Sequence, residues 1–145
     1  MNNVRDLLDR KGDEVWTIQP DETVLDAIRR MADKDVGSLV VIEDGEPVGI
    51  FTERHYAREG TLKGRRSSTT QIREIMSARV IYASPDQTIE ECMAVMTDRR
   101  IRHLPVLDHE KLVGIVSIGD LVNSRIADQD FVIDQLTNYI HGPVR

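Results

Sequence analysis

Apolar residues in this chain fall into short clusters whose spacing switches between extended and helical, and the whole series occurs twice. The first series opens with Val15, Trp16, Thr17 and Ile18, an extended run closed by Pro20. Val24, Ala27, Ile28 and Met31 then recur at helical spacing behind Thr23, with Asp26 three residues after the threonine. That is the spacing of a capping box, in which side chain and backbone satisfy each other at a helix start. Two apolar runs at 39–42 and 48–51 flank Glu43-Asp44-Gly45-Glu46-Pro47, which predicts a hairpin. A polar, helical stretch follows at 52–57. From residue 80 the same order returns. An extended run at 80–83 precedes Pro85, and Thr88 with Glu91 forms the second box. Ile89, Cys92, Met93 and Met96 take the helical positions, runs at 104–107 and 113–116 make a second hairpin, and a helix starts at Ser117.

Laid over itself, the chain matches at an offset of 65 residues, without a gap, from Val15/Val80 to Tyr56/Leu121. Pro20/Pro85, Thr23/Thr88, Met31/Met96, Gly49/Gly114 and Ile50/Ile115 are identical. Upstream, Val4 to Leu8 (VRDLL) resembles Ile72 to Met76 (IREIM) at an offset of 68. The expected fold is α/β (α+β): two β-α-β-β-α repeats packed with pseudo-two-fold symmetry, plus a C-terminal helix. The predicted boundaries are 1–60 for the first repeat, 61–71 for a linker, 72–127 for the second repeat and 128–145 for a helical extension. The stretch from Arg58 to Gln71 is rich in Gly, Ser, Thr and Arg, so it is expected to be mobile. Val132, Ile133, Leu136 and Ile140 suit a closing helix laid on the module or on a neighbouring chain, ended by Gly142-Pro143.

Composition narrows the function more than the fold. At 145 residues and 40% hydrophobic content, the chain can bury a core without disulfides or metal. A net charge of -6 disfavours nucleic acid as a partner. The charged start does not read as a secretory signal, no run reaches the length of a membrane span, and the single Cys92 suits a reducing compartment. The expectation is a cytoplasmic protein without a membrane partner. His55, His103, His109 and His141 show no metal-ligand spacing, and there is no nucleophile elbow, dinucleotide fingerprint or P-loop. The reading is therefore not an enzyme, with no catalytic residues and no metal.

The remaining chemistry lies where the last strand of each repeat meets its helix. In Gly114-Ile115-Val116-Ser117-Ile118-Gly119-Asp120 a strand runs into a helix whose first amides lack intrahelical partners. A serine hydroxyl there can bond phosphate, and an aspartate one turn on can accept from a ribose diol. The same Ser-x-x-Asp spacing also makes a cap that needs no ligand, and both readings stand at this point. A glycine ending the strand is expected to let a ligand approach the backbone. Arg102 and His103 open the preceding strand and are expected to complete a phosphate site; Trp16 and Tyr82 offer rings to a base.

The duplicated Pro-x-x-Thr helix start, Arg102 to Asp108 (RHLPVLD) and Leu112 to Leu121 (LVGIVSIGDL) resemble the cystathionine-beta-synthase (CBS) domain, here as a tandem pair. Residues 131–142 also resemble the C-terminal extension of small stand-alone bacterial members. The resemblance implies a regulatory module binding an adenine nucleotide between the repeats: AMP, ADP, ATP or NAD(H), or S-adenosylmethionine. Its G-h-x-[ST]-x-x-D motif puts Ser117 on phosphate and Asp120 on the ribose. The first repeat matches at Gly49 and Thr52, with Arg54 as a phosphate partner, but has His55 where the acid belongs, which implies a weaker, differently selective or empty site. By the same resemblance Thr17, Ile18, Tyr82 and Ala83 border the base pockets, and a homodimer is the expected assembly. Two alternatives are a docking module with a vestigial cleft and an NADH-binding redox sensor.

Overall fold

A computed structural model describes residues 3–141. Helix α1 (Val4–Lys11) leads to the short strand β1 (Thr17–Ile18), helix α2 (Val24–Lys34) and the hairpin β2 (Ser38–Glu43) and β3 (Glu46–Thr52). A single turn, α3 (Glu53–His55), continues as a π-helical segment, Tyr56–Thr61. A 3₁₀ turn at Ile72–Glu74 opens the second half, followed by α4 (Ile89–Arg99), β4 (His103–Asp108), β5 (Lys111–Ser117) and α5 (Ile118–His141). Both capping boxes form. Thr23 Oγ1 accepts from the Asp26 N–H (3.1 Å) and Asp26 from the Thr23 N–H (3.2 Å); Thr88 and Glu91 repeat this at 3.0 and 3.1 Å. Both hairpins carry a register shift at equivalent places, Val41/Ile42 and Val106/Leu107.

The leading strands are shorter than predicted. Only Thr17–Ile18 pairs with β2, in parallel, and in the second repeat a single bridge from Ala83 to Val106 takes its place. The expected mobile linker is also corrected: its backbone is bonded to α2. The Val24 and Leu25 amides donate to the Thr70 and Ser67 carbonyls at 2.8 and 2.9 Å, so this segment satisfies donors that a helix start leaves open. Thr70 is buried, and Arg65 donates to the Glu74 carbonyl. The second-repeat helix and the extension are one continuous helix, α5. Its predicted stop at Gly142-Pro143 lies outside the described residues, as do the side chains of Val132 and Ile140.

The packing units are not the sequence repeats, because the two copies exchange their leading segments. Val4, Leu7 and Leu8 of α1 join the core of the second repeat, beside Ile89, Met96, Leu104 and Val116. Ile72 and Ile75 join the core of the first, beside Val24, Leu39 and Phe51. The exchange is symmetric in its bonds. Val4 and Arg5 amides donate to Gln87 and Pro85 carbonyls; Ile72 and Arg73 amides donate to Glu22 and Pro20. Fully burying one such aliphatic side chain contributes about 1.5–3 kcal/mol, so these short segments tie the halves into one folding unit. Among the described residues no helix is long and apolar enough to cross a membrane.

Candidate functional site

Two clefts lie in equivalent places, where the junction after one hairpin faces the segment entering the other hairpin, and they share Gly37 and His103. The larger, about 620 Å³, is lined by Ser117 and Asp120. The smaller, about 330 Å³, is lined by Thr52 and His55. Each junction is a capping box. Ser117 Oγ accepts from the Asp120 N–H (3.1 Å), and Asp120 Oδ2 accepts from the Ser117 N–H (2.8 Å). In the smaller cleft Thr52 Oγ1 accepts from the His55 N–H (3.3 Å), and His55 Nδ1 takes the Thr52 N–H (3.1 Å). An imidazole thus occupies the place of a carboxylate. With Nδ1 accepting, the proton of the neutral ring sits on Nε2, and burial lowers the His55 pKa, which favours that neutral form.

Asp120 has a further partner that spacing did not reveal. Lys11 Nζ, from the last turn of the exchanged helix α1, lies 2.7 Å from Asp120 Oδ2 and 2.8 Å from the Ile115 carbonyl. Lysine and aspartate are each about a quarter to a third exposed (32% and 25%), so the pair is reachable from the cleft. In the smaller cleft the same strand position is closed by backbone instead: Ile50 and Ser77 exchange two hydrogen bonds, at 2.9 and 3.0 Å. This fits its smaller volume.

The predicted residues divide between the clefts. Ser117, Asp120 and His103 line the larger one; Thr52, Arg54 and His55 line the smaller, together with Arg102 and again His103. Arg102 was expected beside Ser117; it lines the opposite cleft, with Arg79 and Arg100. Thr17 and Ile18 line an adjoining groove that shares Trp16 and Lys34 with the larger cleft, whereas Tyr82 and Ala83 line neither cleft. Trp16 reaches the larger cleft, and Lys34 Nζ stands 4.4 Å from its ring centre, a cation–π contact. Gly114 has a different role from the one expected. A Cβ there would come within 2.7 Å of Leu8 Cδ2, so this glycine admits the exchanged helix. Cys92 is fully buried with its pKa pushed up to about 11, a protonated packing residue. Among the described residues no three His, Cys, Asp or Glu side chains gather as a metal site.

Electrostatics separate the clefts further. The larger sets Lys11 and Lys34 against Asp13, Glu14, Asp35 and Asp120. The smaller sets four arginines against Glu53 alone.

The CBS-domain family model matches residues 4–60 and 72–126, the two stretches that carry these junctions. The chain belongs to the CBS-domain family. CBS pairs are regulatory modules that commonly bind adenosine-containing ligands. This CBS pair is 48% identical to a protein with CBS domains from Burkholderia ambifaria MC40-6, with a TM-score of 0.85 over 88% of this chain and 96% of that one. It is 32% identical to the CBS domain-containing protein YhcV of Bacillus subtilis (strain 168), over 97% of each chain. At 24% identity and a TM-score of 0.73, covering 83% of this chain and 97% of that one, it shares its fold with the CBS domain pair of protein MJ0100, solved in complex with 5'-methylthioadenosine and S-adenosyl-L-methionine.

Proposed function

We propose that this chain is a non-catalytic sensor that binds AMP or a related adenine nucleotide (ADP, ATP or NAD(H)) in the Ser117/Asp120 cleft. The observation that carries the reading is the carboxylate of Asp120 on the wall of a cleft large enough for a nucleotide. Both of its bonds, from Ser117 and Lys11, use Oδ2, which leaves Oδ1 to accept from ribose hydroxyls. Lys11 places an ammonium where a phosphate can share it. The cap and the ribose contact are therefore compatible roles of one carboxylate. Trp16 supplies a ring for the base at the same cleft. Titration calorimetry with AMP, ATP and NADH tests this on wild type and Asp120→Asn, which keeps a cap acceptor. Loss of a charged acceptor is expected to cost about 1.5–3 kcal/mol, a ten- to hundredfold weaker Kd. Equal affinity in both proteins would remove the ribose contact.

A second reading, assembly as a homodimer, is favoured by α5. Val122, Ile126, Ile133 and Leu136 are large apolar side chains 40–58% exposed along one stripe of the helix. An antiparallel second copy would set Val122 opposite Leu136 and Ile126 opposite Ile133, so the stripe complements itself under a two-fold axis. Light scattering on Ile126→Glu/Ile133→Glu checks this: the wild type runs as a dimer and the variant as a monomer. A wild-type monomer at micromolar concentration removes the reading.

A further inference from the structure

Arg54, Arg79, Arg100 and Arg102 reach the smaller cleft from three stretches of the chain: α3, the loop after the 3₁₀ turn, and the short connection from α4 to β4, which carries both Arg100 and Arg102. Among the described residues none of the four makes a salt bridge, although carboxylates outnumber arginines and lysines in the chain, 25 to 19. Among the described residues the partner of the Arg54 guanidinium is a carbonyl, that of Arg100, at 3.0 Å. Arg100 itself closes α4 in a left-handed conformation (φ 55°). Like charges brought together repel, and the cleft offers them only Glu53 in return.

The hydrogen-bonding character points the same way. Guanidiniums are donors only. The imidazole of His55 already uses its one acceptor nitrogen on the Thr52 amide, so its remaining ring nitrogen is a donor as well. Where the neighbouring cleft has a carboxylate for a ribose diol, this one has an N–H. A ligand here must bring the acceptors and the negative charge, and must fit about 330 Å³, roughly half the neighbouring space. Arginine forks match tetrahedral oxyanions in paired hydrogen bonds.

We infer that the Thr52/His55 cleft is a polyphosphate site that reads no ribose: a linear di- or triphosphate group held by Arg79, Arg100 and Arg102 and by the Thr52 hydroxyl. The group has two sources, a free inorganic polyphosphate or the tail of a nucleotide whose adenosine lies in the neighbouring cleft across Gly37 and His103. The inference goes beyond the adenosine reading and does not need it, because its probe contains no nucleoside.

Inorganic triphosphate is titrated calorimetrically, at fixed ionic strength of about 0.15 M to screen distant charge, into wild type, Arg79→Gln/Arg102→Gln and Arg99→Gln/Lys111→Gln. The last variant removes the same charge at exposed positions outside the cleft. The wild type is expected to bind, the cleft variant to bind at least tenfold more weakly, and the control to stay within twofold. Arg79→Lys/Arg102→Lys should fall between, because it keeps charge and loses the forks. No binding by wild type, or an equal loss in cleft and control variants, overturns the site. ATP added to triphosphate-saturated protein separates the sources: displacement assigns the site to a nucleotide tail, and independent binding assigns it to a free anion. Failure of triphosphate to bind, with AMP binding intact, would sink this inference and leave the adenosine reading standing.

Discussion

The two halves of this CBS pair share their hairpin pairing, their bulge positions and their capping geometry, yet their clefts are opposite in charge. One substitution at the same place in the motif, Asp120 against His55, changes an acceptor into a donor without disturbing the cap, because either side chain can receive the backbone N–H. The repeats therefore show which part of the motif the fold requires and which part is free to specify a ligand. Any N3 side chain that accepts a hydrogen bond satisfies the fold; the group left over after that bond decides what the cleft can hold. The largest effect should follow from exchanging that group. Asp120→Asn is expected to cost ten- to hundredfold in nucleotide affinity, whereas the cap should persist.

A smaller but still large contrast concerns how each half receives its exchanged segment. A Cβ at Gly49 would lie 2.8 Å from the Ser77 carbonyl oxygen, which is fixed backbone, and 2.8 Å from Met76 Sδ. At Gly114 the close atoms, at 2.7 and 2.8 Å, are the methyl groups of Leu8, the far end of a flexible side chain. Overpacking costs about 1–3 kcal/mol when the surroundings cannot yield. Gly49→Ala is expected near the top of that range and Gly114→Ala near the bottom, measured by urea unfolding. Equal losses would mean that the two exchanges are mechanically alike.

The features legible in the sequence are those decided within four or five residues. Thr23 with Asp26, Thr88 with Glu91 and Ser117 with Asp120 name their partners by spacing alone, and hairpin turns announce themselves in the same way. The exchange of α1 with the 3₁₀ turn was not legible, because VRDLL and IREIM are so alike that apolar spacing fits either core. Lys11 was missed for that reason: it meets Asp120 across 109 residues of chain, and only the exchange brings it there. Arg102 was expected beside Ser117, but which junction the entry to β4 faces depends on how the two hairpins pack, and spacing along the chain does not report that. The linker was misjudged because the bonds that pin it come from backbone carbonyls of Ser67 and Thr70, which composition does not report.

The smallest expected effect tests whether the imidazoles of the clefts stay neutral. Burial lowers the pKa of both His55 and His103 from the ordinary value of 6.5. Glu59 opposes that shift at His55 and Asp120 opposes it at His103; Arg54, and Lys11 with Arg102, reinforce it. The sign follows from which state takes up protons first. Above about pH 6.5 neither state is charged at these positions, and their contribution to stability is fully present. As pH falls below that value the unfolded chain binds protons that the fold refuses, so stability declines until the lower folded pKa values are passed. Thermal midpoints recorded from pH 7.5 to 5.5, above the main carboxylate range, should therefore drop in the wild type and drop less in His55→Gln/His103→Gln. Triphosphate in the arginine-lined cleft should flatten the wild-type slope, because an anion beside the imidazoles favours their charged form in the folded state. A slope unchanged by the double substitution would mean that the two rings titrate alike in folded and unfolded chains, and that both are open to water.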